Sequence, residues 1–301
     1  MRALVISGGG SKGAFAGGVA QYLMQEKKLA YDMFLGTSTG SLLISHLALK
    51  EIDKIREVYT TVTQNSIFSN CPFTIHRKYG AATIGINHWS VLKNLLRGSK
   101  TFGESHNLLN LIRKTLSRSE FEQLRNGPTD VLVTVSNLSL NRVEYKSIND
   151  FDYEEFCEWI WISCNYIPFM SLVRKNGCEY ADGGLGCMVP IEEAIHRGAT
   201  VVDAIILHTE VTHVNRMPSK NPFSLLTNMF GFMLDRIEEQ NVKIGKFTAN
   251  YKDALINLYY TPTILTTNSL VFDREQMTKW WKSGYLYAAS RSEGSSELEL
   301  G

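Results

Sequence analysis

Charge of either sign is in balance here, and no long apolar run is present. The 301 residues hold 31 Lys and Arg against 30 Asp and Glu, a formal net charge of +1. Nucleic-acid phosphates are neutralised by an excess of basic residues, so no nucleic-acid partner is expected. No stretch approaches the ~20 apolar residues that a membrane-spanning helix needs. Cysteine is scarce: Cys71, Cys157, Cys164, Cys178 and Cys187 are odd in number and contain no C-x-x-C pair. That disfavours a disulfide framework or a Cys-rich zinc site, and points to reduced thiols in a cytoplasmic setting. The seven histidines (His46, His76, His88, His106, His196, His208, His213) lack H-x-x-x-H or H-E-x-x-H spacing, so no metal is expected. Residues 1–6 run straight into Ser7-Gly8-Gly9-Gly10, which leaves no room for the apolar core of a signal peptide.

What is present is an ordinary globular balance, 44% hydrophobic and 20% charged. A chain of this length can bury roughly 75% of its extended surface. Neither a repeat nor a linker interrupts it, so residues 1–289 are expected to form one domain. Residues 290–301 are polar and Ser/Glu-rich, and are expected to fray.

The apolar pattern alternates short strands with helices. Residues 2–6 predict a buried strand, 7–13 a Gly-rich turn and 14–28 a helix. Met33-Phe34-Leu35 predicts a second strand, Gly36 to Gly40 a tight turn and 41–50 a helix. Strand–turn–helix twice within 50 residues indicates an α/β fold with a mostly parallel sheet. Residues 52–125 read as helical with an interruption near 70–87. Residues 130–137 predict a strong strand that pairs with 142–148. Further elements are expected at 156–164 (helix), 178–181 (strand), 190–197 (helix) and 201–208 (strand). Residues 221–251 predict one long helix with a buried stripe of Leu226, Met229, Phe230, Met233 and Ile237. Phe223, Leu225 and Phe232 fall off that stripe, and could line an acyl channel, meet a bilayer or form a dimer contact. A late strand is expected at 258–265, on an edge because of Pro262. Residues 276–289 predict a last helix, with one of Trp280 and Trp281 packed and the other partly exposed.

Three motifs carry chemistry. Gly36-Thr37-Ser38-Thr39-Gly40 is a G-x-S-x-G between a strand and a helix, the context of a nucleophile elbow. The turn projects the Ser38 hydroxyl over a helix N-terminus, whose dipole favours charge on an attacked ester oxygen. Gly8-Gly9-Gly10-Ser11-Lys12-Gly13 follows the first strand. It fits a dinucleotide fingerprint, G-x-G-x-x-G, but Asp32, the acid at the right distance, precedes the second strand instead of ending it. The competing reading is an oxyanion hole, in which consecutive glycine amides aim at one oxygen and Lys12 adds positive charge. Asp182-Gly183-Gly184 follows a short strand and could bring a carboxylate against a distant hydroxyl.

In this order the three motifs resemble the patatin-like phospholipase family. Ser163-Cys164-Asn165-Tyr166-Ile167-Pro168-Phe169 is similar to the family's small-residue-then-Pro segment, and Pro190 to Ile195 to the helix after its acid. Departures are Ser7 where the loop usually opens with Asp, Met188 where Asn is usual, and Cys187 in place of an acidic neighbour. The resemblance implies a three-layer α/β/α fold and a serine lipid acyl hydrolase of phospholipase A or lysophospholipase type, without cofactor. Ser38 and Asp182 would form a catalytic dyad, and the amides of Gly9, Gly10 and Ser11 would stabilise the oxyanion. The implied substrate is a lipid ester, which leaves room for peripheral contact with a membrane surface. Two rivals stand beside it: an α/β-hydrolase triad using His196, His208 or His213, and a silent patatin-fold binding module.

Overall fold

The computed structural model describes residues 1–78, 81–210, 218–219 and 222–298, and no side chains at 76–78, 81–83, 223 and 293–298. Along the chain come β1 (Arg2–Ile6), α1 (Gly13–Gln21), β2 (Met33–Thr37) and α2 (Thr39–Ala48). Then α3 (Ile52–Thr61), α4 (Gln64–Ile67), the hairpin β3 (Phe73–Lys78) and β4 (Ala81–Ile86), α5 (His88–Leu96), α6 (His106–Thr115) and α7 (Arg118–Arg125) follow. The second half holds β5 (Asp130–Asn137), β6 (Arg142–Ser147), α8 (Tyr153–Ser163), β7 (Val173–Lys175) and β8 (Cys178–Asp182). Last come α9 (Ile191–His196), β9 (Val201–Ile206), α10 (Pro222–Lys252), β10 (Leu255–Tyr260) and α11 (Arg274–Leu298).

Among the described residues the strands form an eight-stranded sheet ordered β10-β9-β1-β2-β5-β8-β7, with β6 also on β5. The pairs among β10, β9, β1, β2 and β5 are parallel, and those of β6, β7 and β8 are antiparallel. Alternate side chains sort to two cores. Leu4, Ile6, Phe34, Val131 and Val133 face α1, α2, α6 and α8. Ala3, Val5, Met33, Leu35 and Leu132 face α9 and α10. Both faces of the central strands are therefore apolar, which is why β1 and β5 read as continuous hydrophobic runs. The result is three layers of helix, sheet and helix.

The register of β5 sets up the site. One edge of β5 is occupied by β6 from Leu132 to Asn137. The opposite edge is shared: β2 covers it up to Thr37 beside Thr134, and β8 takes over with Asp182 beside Val135. Since β8 is antiparallel to β5, the C-terminal ends of β2 and β8 meet head to head. Ser38 and Asp182, 144 positions apart in sequence, become neighbours because two strands stop at adjacent rungs.

Several expectations are corrected. The interruption near 70–87 contains the β3–β4 hairpin. The late strand is shifted to Leu255–Tyr260, before Pro262, while its place on the sheet edge is as expected. Trp280 and Trp281 are both buried, at 7% and 4% exposure. Gly17 and Gly18 let α1 lie directly on Trp281, whose indole donates to Gln21 Oε1 at 2.8 Å. α11 runs to Leu298.

Of the stripe expected on α10, Leu226 and Ile237 pack on the cores and Phe230 on Tyr166 and Phe169. Met229 and Met233 are exposed, and so are Leu225 (60%) and Phe232 (61%). The inward face also carries Gly231, Leu234, Glu238, Asn241, Val242 and Gly245. A Cβ on Gly245 would come within 2.6 Å of Ile191, so small residues, not large ones, let α10 approach α9. Among the described residues no helix is long and apolar enough to cross a membrane.

Candidate active site

Ser38 sits between β2 and α2 with φ 53° and ψ −120°, a conformation that non-glycine residues seldom adopt. Strain of this kind persists only where the surroundings hold it. Gly40 lets α2 start against β1, since a Cβ there would lie 2.3 Å from the Ile6 carbonyl. The Ser38 amide donates to Ser163 Oγ at 2.9 Å. Ser163 and Ser41 share a hydrogen bond of 2.8 Å, and Ser41 Oγ donates to the Gly36 carbonyl at 2.8 Å. The donor order is therefore fixed: Ser38 N–H to Ser163, Ser163 to Ser41, Ser41 to Gly36. Cys164 Sγ closes on the Ser38 carbonyl at 3.1 Å. Flanking residues finish the brace, with Thr37 Oγ1 donating to the Cys187 carbonyl at 3.1 Å and Thr39 Oγ1 2.6 Å from Tyr59 Oη.

Asp182 ends β8 and is 4% exposed. Its amide donates to the Asn165 carbonyl at 2.9 Å, and Oδ1 accepts from Gly184 N at 2.8 Å. Gly183 packs directly against the Thr134 carbonyl, turning the chain away from the sheet after the acid. Burial pushes the carboxyl up to about 7, and hydrogen bonding from the Ser38 side chain and the Gly184 amide holds it from rising further.

The Gly-rich loop lies across the other side of Ser38, so close that a Cβ on Gly8 would lie 3.3 Å from Ser38 Cβ. Ser7, fully buried, donates from Oγ to the Gly8 carbonyl and accepts from the Leu207 amide at 2.9 Å. A hydroxyl thus ties the loop to the end of β9 where the family pattern has Asp. Gly10 has φ +56°, and a Cβ there would lie 2.3 Å from the Ser269 carbonyl. The Ser11 amide donates to that same carbonyl at 2.8 Å, and the Gly8 amide to the Met188 carbonyl at 3.2 Å. Ser11 is thereby removed from the expected donor set, because its N–H anchors the loop. Among the described residues the amides of Gly9 and Gly10 have no backbone acceptor. Gly13 begins α1 against Thr39.

A family model described as patatin-like phospholipase matches residues 4–195. The chain belongs to that family. The family's description is that of a phospholipase. The matched span runs from β1 through α9 and contains all three motifs; α10, β10 and α11 lie beyond it. Among solved structures, VipD from Legionella pneumophila is similar, with a TM-score of 0.47 and 13% identity over 96% of this chain. The chain spans 66% of that protein's length. No curated protein matches the sequence.

This patatin-like site opens on a cavity of about 980 Å³ that Ser38, Asp182, Gly8, Gly9 and Gly10 all line. Its walls divide by chemistry. One arm is apolar, built by side chains such as Leu42, Ile55, Val62, Leu108, Ile112 and Phe169 from α2, α3, α6 and the segment after α8. Leu225 and Phe232 do not line it, whereas the adjacent Ser224, Thr227, Gly231 and Leu234 do; the Phe223 side chain is outside the described residues.

The other arm is polar. Lys12 reaches past the loop and donates to the Leu207 carbonyl, with burial pushing its ammonium down and Glu238 and Asp235 pulling it back up. Burial pushes Glu238 up to about 7, against the pull of Lys12. Asp235 Oδ1 lies 3.5 Å from His208 Nε2, and His208 Nδ1 is 3.0 Å from the Thr209 carbonyl. Lys12 is therefore directed to this arm. Asp235 and Glu238 were missed in sequence, although acids three apart on a largely apolar helix are a signal. Ser163, Ser41 and Cys164 were missed as the brace of the elbow, since nothing local marks a hydroxyl as a second support.

The triad rival finds no geometry among the described histidines. His208 has both ring nitrogens engaged away from Asp182, and His196 is exposed on α9, 4.0 Å from Glu192. His213 lies outside the described residues. Among the described residues no group of His, Cys, Asp and Glu is arranged to hold a metal ion.

Proposed function

We propose that this chain is a serine lipid acyl hydrolase of phospholipase A or lysophospholipase type, acting through Ser38 and Asp182. The observation that carries the reading is the head-to-head meeting of β2 and β8, which puts both side chains into one cavity. Ser38 Oγ attacks the ester carbonyl carbon while its proton passes to the Asp182 carboxylate. The carbonyl oxygen becomes an oxyanion facing the amides of Gly9 and Gly10 and the N-terminus of α2. The tetrahedral intermediate collapses, the C–O bond to the alcohol breaks, and the leaving oxygen takes the proton from Asp182. Water then attacks the acyl-enzyme, again giving its proton to Asp182. Collapse releases the fatty acid and returns the proton to Ser38.

The raised carboxyl suits this role, because a base near 7 is half ionised at neutral pH and still accepts a proton readily. The apolar arm supports a long acyl chain as substrate. A fluorophosphonate probe tests the assignment. Covalent labelling of the folded wild type that disappears in Ser38→Ala supports it. Absence of labelling in folded wild-type protein, together with no ester hydrolysis, favours a silent binding module.

A further inference from the structure

Acidic residues are absent from one continuous part of the chain. Between Glu57 and Glu104, residues 58–103 contain no Asp or Glu but five Lys and Arg: Arg77, Lys78, Lys93, Arg97 and Lys100. The rest of the chain holds 26 Lys and Arg against 30 Asp and Glu. A near-neutral protein thus carries its excess positive charge in one segment, folded as the hairpin and α5. Lys100 is paired with Glu179 at 2.7 Å, while Lys93 and Arg97 are exposed and, among the described residues, have no ion-pair partner.

The same segment carries large apolar side chains in solvent. Trp89 is 82% and Leu96 79% exposed, with Leu92 and Leu95 also open. Trp89, Leu92, Lys93 and Leu96 fall at i, i+3, i+4 and i+7, one side of α5. Asn94, on the opposite side, is buried and donates to the Thr101 carbonyl at 2.9 Å, which fixes the outward direction. A helix with Trp and Leu beside Lys and Arg and without acids has the composition of a segment that lies in a lipid interface. Its place is apt, because Ile84 and Ile86 of β4 and His88 at the start of α5 line the cavity that contains Ser38. α10 borders that cavity too and turns Leu225, Met229 and Phe232 outward.

We infer that α5 docks this protein on an anionic lipid surface, with Trp89, Leu92 and Leu96 entering the interface and Lys93 and Arg97 at the headgroups. The inference rests on reading the cavity as a lipid ester site, and it gives that site a face from which lipid arrives. The charge argues for a lipid surface over an apolar protein partner, since Lys93 lies one turn from Trp89 and Arg97 beside Leu96, and neither has an ion-pair partner among the described residues.

Tryptophan fluorescence gives a direct readout. Trp159, Trp161, Trp280 and Trp281 are buried, so an emission shift on adding vesicles reports Trp89. The full-length Ser38→Ala protein, which leaves the vesicles intact, is titrated with phosphatidylcholine vesicles and with vesicles that also contain phosphatidylglycerol. A blue shift and co-sedimentation are expected with the anionic vesicles, weakened by salt. Lys93→Gln with Arg97→Gln should weaken binding by about 25-fold, taking roughly five-fold per cation. Leu92→Ser with Leu96→Ser, which keeps the reporter, should also reduce the shift. In the Ser38-containing background these α5 variants should hydrolyse a short water-soluble ester within a few-fold of wild type. No shift and no sedimentation, or equal binding to both vesicle types, would overturn the inference while leaving ester hydrolysis to stand on its own. Vesicle binding by a protein that hydrolyses no ester would instead keep the docking face and remove the hydrolase reading.

Discussion

Two carboxyls in one cavity are raised to the same range by burial, yet their neighbours differ. Asp182 has a hydroxyl beside it and a backbone amide on Oδ1. Glu238 has the Lys12 ammonium and Asp235. A perturbed carboxyl near 7 is the property expected of a general base, and on that property alone the two are equal candidates. The partner decides between them: a hydroxyl can be deprotonated toward attack, whereas an ammonium only balances charge. On the proposed reading the cavity has a reacting end, where strand ends converge, and a polar end, where α10 faces the Gly-rich loop.

The sharpest way to break that division is to neutralise each acid separately. Asp182→Asn should lower kcat by about 10²–10⁴-fold, the usual worth of a general base, measured on a soluble ester. The same variant should change the pH dependence of folding. The native carboxyl holds its proton up to about 7, while an unfolded one releases it near pH ~3.9. Between those values the folded state binds more protons, so wild-type stability falls as pH rises through the window. Thermal melts at pH 5 and 8 should therefore show a smaller loss for Asp182→Asn than for wild type.

Next in size is the Gly-rich loop. Gly10→Ala forces a side chain onto the Ser269 carbonyl at a positive φ, which displaces the loop from its anchor. Loss of an oxyanion donor costs roughly 10²–10³ in kcat, and the effect should fall on kcat more than on KM. An unchanged kcat in Gly10→Ala would detach the loop from the reacting end. A smaller effect is expected at the brace: Ser163→Ala removes one partner of the Ser38 amide and should slow turnover by about five-fold. Full activity in that variant would mean that Gly40 and Cys164 suffice to hold the elbow.

The reacting end was legible in sequence because its parts are local. A G-x-S-x-G needs only a strand before it and a helix after it, and both were readable from Met33-Phe34-Leu35 and the residues that follow Gly40. The sheet class was readable for the same reason. The polar end was not, because it joins Lys12 to Asp235 and Glu238 across more than 200 positions, and local pattern carries no information on such pairings. On α10 the periodicity holds for Leu226, Phe230 and Ile237 and fails for Met229 and Met233, because the tight approach to Ile191 selects Gly245 and the cavity takes Gly231 and Glu238 on the inward face. Ser11 misled in a similar way, since an amide in a Gly-rich loop can anchor the loop as readily as it can bind an oxyanion. Nothing local in Cys178-Glu179-Tyr180-Ala181-Asp182 said that β8 would stop one rung beyond β2.

The pH–rate profile of kcat/KM on a soluble ester, measured for wild type and Glu238→Gln side by side, tests the central claim that Asp182 alone serves Ser38. The account predicts that both proteins gain activity through one deprotonation near pH 7, with rates within a few-fold of each other, because Asp182 titrates in both. A profile that shifts or flattens in Glu238→Gln, or a loss in that variant as large as in Asp182→Asn, would contradict it.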